Sequence, residues 1–234
     1  METVIHKAED RGKGDYGWLT TRYSFSFADW YEPARMGFGA LRVLNDDVVA
    51  PASGFPMHGH RDMEIITLVT RGTLTHKDSM ENVGTTPAGD VQVMSAGTGV
   101  THSEYNASAG DDLALFQIWI ETAAPGAPPR YEQKSFPKMD EPGMTLLVAP
   151  LNSGEGLGIR QNAYIYRGMA DAENPLSYDI HGKGSGVYIF VIDGEAKLGE
   201  VMLHARDGKG IAGIERVVVE SPSRTSFFLI EVPM

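Results

Sequence analysis

The chain of 234 residues contains no cysteine. That absence removes disulfides, thiolate zinc sites, iron–sulfur clusters and thiol nucleophiles, and it fits the expectation of a cytoplasmic protein. No run approaches the roughly eighteen apolar residues that a membrane helix needs. The stretch Met1–Lys7 lacks the basic segment and apolar run of a signal peptide, so no membrane contact is expected. Basic residues are outnumbered, 20 Lys and Arg against 31 Asp and Glu, for a net charge of −11. A surface that grips phosphates is not expected from that balance, nor is direct nucleic-acid binding. Helical periodicity is missing as well, since no long segment keeps an apolar repeat near 3.6 residues.

Strand signals fill the space these absences leave. Glu64 to Thr70 (EIITLVT), Leu113 to Ile120 (LALFQIWI), Val187 to Ile192 (VYIFVI), Val217 to Glu220 (VVVE) and Phe227 to Val232 (FFLIEV) are β-branched and aromatic runs of strand length. With 27 Gly and 13 Pro to make tight turns between them, the fold class is all-β. Brief helical turns are expected at most around Asp29–Arg35 and Asp171–Leu176. A proline-rich shift at residues 122–139 (Pro125, Pro128, Pro129, Pro137) reads as an ordered linker. It separates an N-terminal unit, 1–121, from a C-terminal unit, 140–234. The two units echo one another: Ile66–Leu74 and Tyr188–Ala196 both run from an apolar strand through x-x-Gly into a second strand.

Two short patterns carry the chemistry. His58-Gly59-His60 and His102-Ser103-Glu104 are i, i+2 pairs, so on strands each pair leaves from one face. Three imidazoles and a carboxylate suit a divalent transition metal such as iron, nickel, copper, manganese or zinc. Same-face neighbours stand roughly 6.5–7 Å apart at the backbone, so their side chains must converge, as a concave barrel interior allows. Histidines that merely cap loops would explain neither the spacing nor the second pair. The internal echo maps His58, His60 and Glu64 onto Ile180, Gly182 and Gly186, and His102 and Glu104 near Phe228 and Ile230. An apolar second pocket is the expectation. His6, His181 and His204 lack motif partners and are expected to be surface or structural. Gly12-Lys13-Gly14-Asp15-Tyr16-Gly17 spells G-x-G-x-x-G, but the strand-like Leu19–Phe27 follows where a dinucleotide site needs a helix.

Gly54–Gly72 (GFPMHGHRDMEIITLVTRG) resembles the first cupin motif, and Pro87–Asn106 resembles the second in the form used by the pirin family. Gly17–Trp30, Met36–Asp47, His76–Met80 and Pro129–Gln133 also match pirin patterns, and the N-terminal half is similar to the bacterial pirin-like quercetinases. The resemblance implies a bicupin: two β-barrel domains of the double-stranded β-helix, or jelly-roll, type, with metal in the first and a degenerate second. It implies His58, His60, His102 and Glu104 as ligands and moves Glu64 to a supporting or pocket-wall position. The family commonly has His where Tyr23 stands. His76 is expected beside the ligands. Phe55, Met57, Phe116 and Trp119 are pocket candidates, with ordinary barrel packing as the competing reading.

By that resemblance the chain is expected to hold one divalent metal, iron(II) first, with nickel, copper, cobalt, manganese or zinc as alternatives. The implied activity is that of a quercetin 2,3-dioxygenase, which opens a flavonol-like small aromatic substrate with O₂ and releases carbon monoxide, with Glu104 as general base. Cupins host many activities. A metal-containing regulator that binds a protein partner and senses redox state is therefore the alternative, and a purely structural metal a third reading.

Overall fold

The structure is a computed structural model and describes residues 2–234. Strands dominate it, and among the described residues helix is limited to two 3₁₀ turns, Ala8–Asp10 and Pro33–Arg35. The second expected turn is instead a bend in which Asp171 Oδ1 accepts from the backbone of Glu173 and Asn174.

The first barrel sets a seven-stranded sheet against a four-stranded one. The larger sheet runs Arg130–Ser135, Asp90–Ser95, Met63–Arg71, Leu113–Glu121, Leu41–Val49, Leu19–Tyr23, Gly12–Asp15. The smaller runs Gly54–His60, Val100–Asn106, Thr73–Asp78, Val83–Pro87. The second barrel repeats the plan with a seven-stranded sheet and two two-stranded ribbons.

Alternation along the strands gives the larger sheet two different faces. Leu44, Ile66, Leu68, Val91, Val93, Phe116 and Ile118 point toward the second barrel and join one core with Tyr188, Phe190, Phe228 and Ile230. Burying each such side chain stabilises the fold by about 1.5–3 kcal/mol, so this shared core ties the two barrels together. The opposite face lines the first barrel's interior. In the second barrel the corresponding interior is filled by Val187, Ile189, Val191, Leu203, Val217, Phe227 and Leu229. Phe228 and Ile230, the residues that the internal echo sets against His102 and Glu104, therefore belong to the shared core and not to a pocket.

Two segments cross the boundaries read from the sequence. The segment 122–139 is more than a linker, because its Arg130–Ser135 pairs along Asp90–Ser95 as an edge of the first sheet. The first strand, Glu2–His6, pairs with Gly208–Ala212 in the second barrel. It is locked there by His6 Nδ1, 2.9 Å from the Tyr188 hydroxyl, and by Lys7, 2.7 Å from Asp207. Gly12–Asp15 is an edge strand, and Gly12 is needed because a Cβ there would lie 2.3 Å from the Trp30 ring. The glycine pattern thus serves close packing at Gly12 and Gly14 and a turn of positive φ (80°) at Gly17.

Deleting residues 2–6 should uncover the Gly208–Ala212 edge and cost on the order of 2 kcal/mol or more. A urea melt should show a lowered midpoint, and an unchanged one would mean that the strand crossing contributes nothing.

Candidate metal centre

The site is built where the two sheets of the first barrel face one another. Val100–Asn106 pairs with Gly54–His60 so that His102 lies opposite His58, and Glu104 opposite Phe55. Two steps on one strand thus match three on the other, a β-bulge at Pro56–Met57. The extra residue brings Phe55, His58 and His60 inward together and turns Met57 out, 52% exposed. Met57 is therefore not a pocket residue, since an unbroken period of two cannot anticipate the bulge. Pro56 suits the position because it has no N–H to leave unpaired.

Three imidazoles converge at the bulge. Their ring centroids stand 4.8 Å (His58–His60), 4.5 Å (His58–His102) and 4.9 Å (His60–His102) apart. The Pro56 carbonyl accepts from His58 Nδ1–H at 2.7 Å, which leaves the Nε2 lone pair free to face inward. That Nε2 is 3.1 Å from His102 Nε2. Two nitrogens bound at about 2.0–2.1 Å to one ion stand roughly 3.0–3.5 Å apart at ordinary coordination angles. His60 Nε2 is buried without a hydrogen-bond partner. This donor set fits a divalent cation.

Burial lowers the His60 pKa to about 4 with help from His58, and lowers that of His102 to about 2 with help from His58, His60 and His76. Both rings are neutral at pH 7, the form a metal requires.

Glu104 sits deeper. Potential ligand atoms of His58, His60 and His102 form one group within 4.8 Å, whereas Glu104 falls in a second such group with His76 and His102. The four residues expected from the sequence are thus joined through His102 and not gathered into one cluster. A polar row crosses the strands of the large sheet, Tyr23, Asn45, Gln117, Thr67, Gln92, Gln133, each opposite the next, and its middle members hold Glu104 toward that sheet. Gln92 Nε2 and Thr67 Oγ1 donate to Glu104 Oε1 at 2.6 and 3.2 Å, and Gln117 Nε2 donates to Oε2 at 2.7 Å. Burial nonetheless pushes its pKa up to about 7, against these donors, with a further push from Asp47. A cation nearby would draw it back down.

His76 is buried beside the centre, donates from Nε2 to Asp78 at 3.1 Å and stacks on Tyr131 at 4.4 Å. Glu64 lies on the opposite face of the sheet from Ile65 and Thr67, where it accepts the Ser95 hydroxyl at 2.5 Å. It is therefore neither ligand nor pocket wall. Phe116 likewise faces away, packed edge-on against Phe228 at 5.1 Å in the shared core.

A cavity of about 260 Å³ opens onto His58, His60, His102 and Glu104. Tyr23, Phe27, Phe55 and Trp119 line it, together with Thr21, Asn45 and Asp47. Trp119 stands 4.9 Å from His60 and donates to Gln117 Oε1 at 3.1 Å. The Tyr23 hydroxyl lies 3.4 Å from that of Tyr16, and burial raises its pKa. The sequence reading missed Thr21, Asn45, Asp47, Thr67, Gln92 and Gln117. Their signal was present: a polar residue in the middle of an otherwise apolar strand, as in LALFQIWI.

Comparison with known proteins places this architecture. Residues 4–120 match the family model Pirin, and residues 146–232 match the model described as quercetinase C-terminal cupin domain. A quercetin 2,3-dioxygenase of Escherichia coli strain K12 is 39% identical over 98% of either chain. A pirin-like protein of Caulobacter vibrioides is 45% identical over 86% of either chain. The crystal structure of the Escherichia coli bacterial pirin YhhW in complex with nickel(II) is similar with a TM-score of 0.93, at 38% identity over 99% of either chain.

The depressed histidines make an acid-side prediction for metal-free protein. The unfolded chain protonates these rings near pH 6.5, but the folded chain does so only near pH 4 at His60 and pH 2 at His102. Their contribution to stability is therefore complete above pH 6.5 and is lost as pH falls. The melting temperature of chelator-treated protein should drop between pH 6.5 and 4, less steeply by up to one proton in His60→Gln. An unaltered slope in that variant would contradict a neutral His60.

Proposed function

This chain belongs to the pirin family of bicupins, and we propose on that footing that it is a metal-dependent dioxygenase of the quercetin 2,3-dioxygenase type. The observation that carries the reading is the convergence of three imidazoles, two of them held neutral, on one wall of a largely apolar cavity. His58, His60 and His102 would hold the metal, with Glu104 as the fourth ligand. Three neutral imidazoles and one carboxylate leave a divalent centre with a net charge of about +1, which favours an anionic oxygen donor. Iron(II) is the ion assigned first because the reaction consumes O₂, and nickel(II) is the alternative because a related bacterial pirin binds it. When bound, the ion supplies Lewis acidity toward an enolate oxygen and a site for O₂.

The chain's own residues would do the rest. Phe27, Phe55 and Trp119 offer apolar surfaces to a flat aromatic ring and limit water. Glu104, held ionised by the cation, would take the proton from a flavonol 3-hydroxyl. Gln92, Gln117 and Thr67 hold its carboxylate in place. Overall, both atoms of O₂ enter the product ester, and the ring carbon that bore the 3-oxygen leaves as carbon monoxide, so no further reductant is consumed.

The test uses anaerobically purified protein of measured metal content, mixed with quercetin and then O₂. Flavonol bleaching with stoichiometric carbon monoxide is expected, and Glu104→Gln at saturating metal should lower kcat at least about 100-fold. No turnover with iron, nickel, copper, cobalt or manganese across a flavonoid panel would overturn the dioxygenase reading. It would leave the partner-binding regulator as its successor.

A further inference from the structure

The cavity wall away from the histidines carries polarity that the proposed ligand set does not use. Thr21, Asn45 and Asp47 project into it from the neighbouring strands Leu19–Tyr23 and Leu41–Val49, with only 1, 4 and 3% of their surface exposed. Each has an oxygen that is buried without a hydrogen-bond partner: Thr21 Oγ1, Asn45 Oδ1 and Asp47 Oδ1. Thr21 lies directly opposite Asp47 across the strands, and its hydroxyl, as a weak hydrogen-bond donor to that carboxyl, only partly offsets the effect of burial. A buried acceptor without a donor is destabilising. Three of them around one void point to donors that arrive from outside the chain.

The donor chemistry follows from the atoms. A side-chain amide oxygen and a carboxylate accept, and a threonine hydroxyl both accepts and donates. The partner must therefore present hydrogen-bond donors, and for a substrate read as a flavonol these are its ring O–H groups. Phe27, Phe55 and Trp119, on the same cavity, offer ring surfaces, so the group bearing those hydroxyls is flat and aromatic. We propose that Thr21, Asn45 and Asp47 form a recognition wall that selects ring-hydroxylated planar aromatic compounds over unhydroxylated analogues. The proposal rests on reading the cavity as the substrate site. Burial also pushes the Asp47 carboxyl up to about 7, as befits a carboxyl that the chain supplies with few donors. A site built to hydrogen-bond a hydroxyl discriminates strongly against a ligand that lacks it, because its own buried groups are then left unpaired.

Calorimetric titration of the metal-bearing protein without O₂ tests the wall, with quercetin and 3-hydroxyflavone as probes. Both keep the 3-hydroxyl proposed to face the metal and differ in the remaining ring hydroxyls. The unaltered protein should bind quercetin at least about tenfold more tightly. Asn45→Leu and Thr21→Val should bring that ratio toward one while the affinity for 3-hydroxyflavone holds, with metal content and melting temperature recorded for each. A ratio near one in the unaltered protein overturns the proposal even if no variant folds, and so does a ratio that survives both substitutions. If neither flavonol binds, the proposed reaction is at fault, and catechol against 1,2-dimethoxybenzene, followed by ligand-observed NMR, decides the wall. Preference for the free hydroxyls, lost in Asn45→Leu, supports it, whereas no preference means that the wall holds only water.

Discussion

Phe116 and Gln117 are adjacent in sequence and stand in opposite environments. The phenyl ring is sealed between the barrels against Phe190 and Phe228, while the amide faces the cavity and holds Glu104. This two-sided burial of one sheet is the constraint on which the rest depends. A sheet that is covered on both faces needs apolar side chains on its packing face. It can carry polarity on the other face only where hydrogen bonds or a ligand satisfy it. The polar row from Tyr23 to Gln133 obeys that rule at its centre, where Thr67, Gln92 and Gln117 meet Glu104. It departs from the rule at the cavity end, where the Asn45 oxygen lacks a partner.

The same constraint governs the electrostatics. Burial disfavours charge in the site, which lowers the pKa values of His60 and His102 and raises those of Glu104 and Asp47. The result is a set of neutral nitrogens beside carboxyls poised near neutral pH, so a cation and an ionised Glu104 would stabilise one another. The bulge at Pro56–Met57 completes the arrangement. It turns Phe55 inward beside the histidines and brings the Pro56 carbonyl to His58 Nδ1.

Much of this was legible in the chain. The β-branched runs and glycine-rich turns announced an all-β protein, and the two i, i+2 pairs announced a metal-binding barrel. Local periodicity failed where its assumption failed. Met57 was misread because a bulge breaks the period of two, and Glu64 and Phe116 because a strand buried on both faces does not reveal which face holds the site. The segment 122–139 read as a linker because its prolines mask the short edge strand Arg130–Ser135. The position of Glu104 beside His76 and His102 depends on donors contributed by three distant strands.

By itself, the sequence determined the secondary-structure class and the pairing of His58 with His60 and of His102 with Glu104 on their strands. Those properties follow from side-chain chemistry and from the alternation of a strand, both of which are local. Only the tertiary structure decided that Glu2–His6 crosses to the other barrel, that Glu64 faces away from the cavity, and that Thr21, Asn45 and Asp47 share a wall. These depend on which strands become neighbours and which face of the sheet each core covers. Such long-range pairings have no signature within a single stretch of chain.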